Sequence, residues 1–423
     1  MTDTLRYVPE AAPDATVLSP VSRPDNLPTP IPLTESAPPA AFARRSTVLP
    51  RVQWNGDRPD VVPFERERFE EVSQLGQGGM GEVVLLKDHD IERMVALKRL
   101  PEGADLDRVL RFVEEIRTVG QLDHPNIVPV HDVGIDHRGR YFFVMKHLQG
   151  ETLEHIIEKL RQGDAAMHAR FTFPMRVQVF MGVLNAVAYA HRKGFIHRDL
   201  KPANIMVGPY GEITVVDWGL ARRVRQPDTV ALTAAPADPG ASTTRSLREA
   251  VSMQTQLGAV VGTPLYMSPE QARGQHDAVD VRSDTYSLTA LFHEFLCLRH
   301  YLEGRQSLTE VLDGVQNARP SMEDFTASPH QPPIPTELGW FLFKGLEKDP
   351  SKRYQSIDEM MDVLMRVMDG RIDVHCQRTL LKNGLHKLLR QVDQHPNAFL
   401  LGLLAVSALM LAGLFDLLWK VLG

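Results

Sequence analysis

His197-Arg198-Asp199-Leu200-Lys201-Pro202-Ala203-Asn204 places an acid, a cation and a carboxamide within eight residues, and Asp217-Trp218-Gly219 adds a second acid thirteen residues after Asn204. Between them, Ile205-Met206-Val207 and Ile213-Thr214-Val215-Val216 read as short strands around a turn at Gly208-Pro209-Tyr210-Gly211. That hairpin would bring the two sets of side chains together. Oxygen donors from Asn204 and Asp217 suit a hard cation, Mg²⁺ or Mn²⁺. Asp199 is suited to orient a hydroxyl and take its proton, and Lys201 to meet negative charge developing on a phosphoryl group. The chemistry implied is phosphoryl transfer from a metal-bound nucleotide to a hydroxyl.

At 423 residues the chain is long enough for two lobes with appendages. A net charge of -6 argues against a general nucleic-acid binder. Two cysteines, Cys297 and Cys376, provide no disulfide framework, which fits a reducing compartment, and both read as packing residues.

The opening stretch resembles the catalytic loop and metal-binding motif of the eukaryotic-like (Hanks-type) protein kinases, with Trp218 where that family usually carries Phe. The resemblance implies an α+β, bilobal fold: a small β-rich lobe, a larger helical lobe, and ATP with Mg²⁺ or Mn²⁺ between them. Upstream, Leu75-Gly76-Gln77-Gly78-Gly79-Met80-Gly81-Glu82-Val83 gives a G-x-G-x-x-G run. A dinucleotide fold would open a helix on these glycines. Here Val83-Val84-Leu85-Leu86 continues as a strand and Val95-Ala96-Leu97-Lys98 supplies another, the order of a kinase glycine loop. By resemblance Leu75, Gly76, Gly78 and Gly81 cover the nucleotide, Lys98 meets its α- and β-phosphates, and Glu115 on the following helix pairs with Lys98, leaving Glu114 solvated. Tyr141-Phe142-Phe143-Val144-Met145 leads into a hinge at Lys146-His147-Leu148, where the family often has an acidic and then an aromatic residue. Met145 is the expected gatekeeper, Leu148 offers a backbone N–H to adenine, and Val83, Ala96 and Met206 sandwich the ring.

Downstream, a helix over about 174–193 supports the catalytic loop. A long activation segment, 217–270, is rich in Ala, Pro, Asp, Ser and Thr from about 226 to 258. A phosphate there could pair with Arg198 and order the segment, with Thr255 the leading acceptor, followed by Ser252, Thr243 and Thr244. Gly262-Thr263-Pro264-Leu265-Tyr266-Met267-Ser268-Pro269-Glu270 is specific to Ser/Thr-type members of the family. The resemblance places Thr263 against Asp199 and Lys201, Glu270 in a buried ion pair with Arg353, and Asp284 as a brace for the catalytic loop.

The domain reading is therefore a disordered Pro-rich arm over 1–63, a kinase domain over 69–368 (small lobe 69–147, large lobe 148–368), a juxtamembrane helix over 371–396 and a transmembrane helix over 398–419. The arm is either a solvated extension or a tail for docking or self-phosphorylation. Leu380, Leu381, Leu385, Leu388 and Leu389 lie among basic residues in the juxtamembrane piece, and Ala398 to Phe415 carries no charge. Asp416 falls near the far interface with Trp419 and Lys420 as anchors. A buried core helix is the alternative. Lys382, Lys387 and Arg390 argue for a cytoplasmic near side, hence a single-pass protein of the inner (cytoplasmic) membrane with its kinase domain in the cytoplasm and no external sensor. Homodimerisation through this helix stays open, although Gly402 and Gly413 lack the close-packing spacing.

The function expected is transfer of the γ-phosphoryl of ATP to Ser/Thr hydroxyls of protein substrates, with autophosphorylation of the activation loop, as in bacterial members of the family. Two other classes stay in view. A pseudokinase scaffold would not need Lys98, Asp199, Asn204 and Asp217 together, and a small-molecule phosphotransferase would lack the Gly262 to Glu270 segment.

Overall fold

The computed structural model describes residues 47–62, 66–78, 81–223, 263–321, 325, 328–370, 382, 384, 400–401 and 403–413. Alternating apolar residues in the small lobe form a five-stranded antiparallel sheet from β3 (Phe69–Gly78), β4 (Gly81–Asp88), β5 (Arg93–Arg99), β6 (Val130–Ile135) and β7 (Tyr141–Lys146), in the order β3-β4-β5-β7-β6. β3 and β4 close on the pair Gly78 and Gly81. Gly81 sits at φ 140°, and a Cβ there would lie 2.3 Å from the Arg99 carbonyl oxygen, so only glycine lets the glycine turn lie on β5. The residues at the tip, 79–80, lie outside the described ones.

Helix α1 (Leu106–Val119) begins where Asp105 accepts a hydrogen bond from the Arg108 amide, and it buries Phe112, Glu115, Thr118 and Val119 on one face. Phe112 packs on Phe143 of β7 at 5.4 Å and, with Leu100, anchors α1 to the sheet. Burying that face also commits Glu115, one turn on, to the sheet side.

The large lobe holds α2 (Leu153–Arg161), α3 (Ala165–Arg170), α4 (Phe173–Arg192), α5 (Pro269–Ala272), α6 (Val281–Cys297), α7 (Leu308–Asn317), α8 (Thr336–Gly345) and α9 (Ile357–Met368). In α6, 14 of 17 residues are buried, so this helix is the axis of the lobe rather than part of its surface. Two of its buried hydroxyls are satisfied within the helix: Ser287 donates to the Ser283 carbonyl at 3.2 Å and Thr289 to the Thr285 carbonyl at 2.7 Å. Phe180 of α4 stacks on Phe292 of α6 with centroids 4.1 Å apart. Short strands β8 (Glu151–Thr152), β9 (Phe195–Ile196), β10 (Ile205–Val207), β11 (Ile213–Val215) and β12 (Arg222–Arg223) lie beside this core, paired as β11-β10-β8 and β12-β9.

One sequence expectation needs correction. Rather than staying unstructured to residue 63, the chain forms a hairpin from β1 (Arg51–Asn55) and β2 (Arg58–Val62). Asn55-Gly56-Asp57-Arg58 supplies a two-residue loop with Gly56 at φ 64°. The cross-strand pairs Val52–Val61 and Trp54–Pro59 share one exposed apolar face. The hairpin base is held where Asp90 Oδ1 accepts from the amides of Val48 (2.8 Å) and Leu49 (3.1 Å). Residues 1–46 of the expected arm lie outside the described residues.

So does most of the expected juxtamembrane helix, of which Lys382 and Gly384 are described and helical. Of the expected membrane helix, 400–401 and 403–413 are helical and exposed, and the rest lies outside. Among the described residues no helix is long and apolar enough to cross a membrane.

Candidate active site

Lys98 Nζ lies 2.6 Å from Glu115 Oε1 and 3.2 Å from Asp217 Oδ1, joining β5, α1 and the strand end after β11 in one contact. Glu114, the preceding residue of α1, is exposed. Burial works against the Lys98 ammonium, but the Asp217 and Glu115 charges outweigh it and hold its pKa above the ordinary lysine value. Burial would likewise push the Asp217 carboxyl up, and the Lys98 charge instead holds it below the ordinary range. Both groups stay charged at neutral pH.

The β10–β11 hairpin registers Ile205 with Val215, and the Val216 amide donates to the Asn204 carbonyl at 2.9 Å. Asn204 and Asp217 are therefore brought to the same end of one hairpin. Asn204 Nδ2 donates to the Asp199 carbonyl at 2.9 Å and faces Asp199 Oδ2 at 3.3 Å. That use of the amide nitrogen leaves the carboxamide oxygen to face a cation. Lys201 Nζ reaches Asp199 Oδ2 at 2.8 Å. The donors at hand, one carboxamide oxygen and one carboxylate, would suit a hard divalent cation. Among the described residues no cluster of three or more His, Cys, Asp or Glu could replace that arrangement.

The catalytic loop itself is held from below. Asp284, fully buried on α6, accepts from the amides of His197 and Arg198 at 2.9 Å each and faces His191 Nε2 at 2.7 Å. Burial alone would raise its pKa, but the His191 contact and the loop amides keep it lowered, so it is ionised. These two amide bonds hold Arg198 at φ 70°, a left-handed conformation that an L-residue resists by about 1–2 kcal/mol. Asp217 is at φ 60° on the facing segment. Trp218 is buried with its ring 4.5 Å from His197.

Around the expected nucleotide position, the β5–β7 register sets Met145 opposite Ala96, and the β4–β5 register sets Val83 opposite Lys98. Ala96 is buried, and Met145, Leu148, Val83 and Met206 are half-buried. Leu75, Gly76 and Gly78 lie on the exposed strand β3. Residues 224–262, which include Thr243, Thr244, Ser252 and Thr255, lie outside the described residues, as does the side chain of Thr263. Glu270 and Arg353 form a bidentate pair, both contacts 2.9 Å.

Two residues escaped the sequence reading. Asn126 donates to the Ile213 carbonyl at 2.7 Å and its own carbonyl accepts from Val215, fastening the β10–β11 hairpin from outside. Gln271 donates from Nε2 to the Arg198 carbonyl at 3.0 Å, tying α5 to the catalytic loop. The second carried a signal: Ser268-Pro269-Glu270-Gln271 is a capping box, and both of its bonds form.

A five-stranded lobe and a helical lobe joined through the Lys98 contacts to Glu115 and Asp217 define the class of fold. The protein kinase domain model matches residues 69–364, and the chain belongs to the protein kinase family. It is 33% identical to serine/threonine-protein kinase PknD of Protochlamydia amoebophila over 74% of this chain and 31% of that protein. It is also 33% identical to serine/threonine-protein kinase PknB of Mycobacterium leprae, over 73% of this chain and 44% of the other. The chain thus spans less than half the length of these curated relatives.

Proposed function

We propose that the chain is a serine/threonine protein kinase that transfers the γ-phosphoryl of ATP to protein hydroxyls. The observation that carries this reading is the Lys98 ammonium held between Glu115 and Asp217, which joins both lobes in the arrangement phosphoryl transfer requires. In the reaction, an acceptor hydroxyl oriented by Asp199 attacks the γ-phosphorus while its proton passes to the Asp199 carboxylate. The bond to the β–γ bridging oxygen breaks, and ADP leaves. Lys201 meets the charge growing on the transferred group, and Lys98 holds the α- and β-phosphates. A divalent cation bound by Asn204 and Asp217 would disperse phosphate charge. The adenine ring lies between Val83 and Ala96 above and Met206 below, beside Met145 and Leu148, with Leu75, Gly76, Gly78 and Gly81 over the phosphates.

The domain spans 69–368, and 398–419 anchors it in the inner membrane with the catalytic lobes in the cytoplasm. The exposed, leucine-rich helical residues at 400–401 and 403–413 support that anchor. Phosphorylation in 224–262 regulates the enzyme.

The test is transfer from labelled ATP with Mg²⁺ by the full chain in detergent, beside Asp199→Asn, with the modified residues mapped. Label on Ser or Thr that vanishes in the variant supports the reading. Nucleotide binding without label would turn it towards a scaffold.

A further inference from the structure

The two charged residues at the end of β5 face opposite ways, as neighbours on a strand do. Lys98 points into the cleft towards Glu115 and Asp217. Arg99 points to the other side of the sheet. There its Nε donates to Glu82 Oε1 at 2.5 Å, and its two Nη atoms reach the Glu71 carboxylate, Nη2 at 3.4 Å. Glu71 belongs to β3 and Glu82 to β4, so one guanidinium ties together both strands that carry the glycine turn. A second guanidinium supports it: Arg140 Nη1 donates to the same Glu82 oxygen at 3.0 Å, while its Nε donates to Asp136 at 2.7 Å.

This network differs from an ordinary surface ion pair. The Arg99 and Arg140 side chains are 15% and 11% exposed and Glu82 is 23% exposed, so solvent screens their contacts weakly. The Glu71 arm is exposed and weaker. Planar guanidinium forks fix direction as well as distance. The hydrogen bond from Arg99 holds the Glu82 carboxyl below its ordinary range, although burial opposes this. The backbone repeats the connection. Glu82 is registered opposite Arg99, and Gly81 lies so close that a Cβ there would stand 2.3 Å from the Arg99 carbonyl oxygen. Side chain and main chain of one residue thus hold the exit of the glycine turn, one position along from the lysine assigned to the phosphates.

We propose that Arg99 is a positioning residue for nucleotide binding: it fixes the glycine turn at the height from which the turn meets the phosphates, in register with Lys98. The proposal rests on the kinase reading of the cleft. A turn released from this hold spends less time in the binding-competent position, and the apparent affinity falls by that fraction, while the bound complex and its chemical step stay the same.

The experiment uses the full chain in detergent. Binding of a fluorescent ATP analogue with Mg²⁺ should weaken about tenfold in Arg99→Gln, with kcat at saturating ATP within about twofold of wild type. Arg99→Gln placed on Glu71→Gln with Glu82→Gln should weaken binding no further than those two changes do. Arg138→Gln breaks an exposed pair with Glu102 in the same lobe and should change neither quantity. Hydrogen exchange without nucleotide gives a second readout: the β3 and β4 amides beside the turn should quicken severalfold in Arg99→Gln, and those of α6 should not. Unchanged affinity and exchange would overturn the proposal, as would a fall in kcat at unchanged affinity. Exchange quickened equally in α6 would also overturn it, because Arg99 would then serve overall stability. A wild type that binds no nucleotide sinks the kinase reading as well, whereas equal binding by wild type and variant sinks this proposal alone.

Discussion

Replacing Glu270 by Gln should unfold the large lobe at a much lower temperature. The carboxylate is 3% exposed and its partner Arg353 0%, with both guanidinium arms 2.9 Å from its oxygens and the Ser283 hydroxyl 2.6 Å from one of them. Arg353 also donates to the carbonyls of Glu347 (2.7 Å), Lys348 (3.0 Å) and Arg282 (3.1 Å), so it is fixed in place and cannot follow a lost partner to water. The variant leaves a buried cation facing only neutral oxygens. Breaking such a pair from one side costs about 3–5 kcal/mol. For a domain of this size that corresponds to a fall in melting temperature of roughly 6 to 20 °C. Calorimetry or circular dichroism would measure it. Glu270→Leu with Arg353→Met removes both charges and should lose less than the two single changes added together. The pH profile supplies a check of sign. Arg353 holds the Glu270 carboxyl below its ordinary value of 4.5 although burial opposes this, so the stabilisation is complete above pH 4.5. It is lost as pH falls through the lowered folded value, where wild type and variant converge. A shift under about 3 °C at neutral pH, or strict additivity in the cycle, would refute the reasoning.

Glu115→Gln should cut phosphate transfer by about 10²-fold or more, because Lys98 loses the nearer of its two charged partners, whereas Glu114→Gln should leave it unchanged in the same labelled-ATP assay. Lys348 lies 2.7 Å from the Tyr286 hydroxyl and 2.8 Å from the Val315 carbonyl, and burial, aided by the Arg353 and Arg319 charges, lowers its pKa to about 7. Between pH 7 and the ordinary lysine value of 10.5 the unfolded chain binds a proton that the folded one does not, so this group makes stability rise with pH across that window. Lys348→Met should flatten the rise in urea melts. Arg176, 2% exposed, donates to the carbonyls of Phe171, Phe295 and Leu296, and Arg176→Met should lower stability on the order of 3 kcal/mol by orphaning them.

What could be read from the chain was what acts locally. The catalytic loop, the β10–β11 hairpin and the amphipathic face of α1 are all written in spacings of a few residues. The β1–β2 hairpin was missed because Pro, Ala, Ser and Thr across 63 residues hide a short alternation of Val52, Trp54 and Val61 around an Asn-Gly turn. Asn126, the reach of Gln271 beyond its capping box, and Arg176 were illegible for another reason. Their partners lie 87, 73 and 119 residues away, and nothing near them in sequence says which carbonyl each will meet.

The burial of α6 has a consequence for how accurately the cleft can be built. Asp284 sets the catalytic loop, Ser283 meets Glu270 at the end of the activation segment, and Glu294 takes the Tyr266 hydroxyl and the Arg161 guanidinium. Each of these parts is surveyed from the same benchmark, one side chain away from a single rod. Errors in placing one are not handed on to the next, as they would be along a chain of loops. A cleft assembled this way can tolerate a long, variable insertion between its two fixed ends, which is where the sequence between Asp217 and Glu270 carries its greatest length.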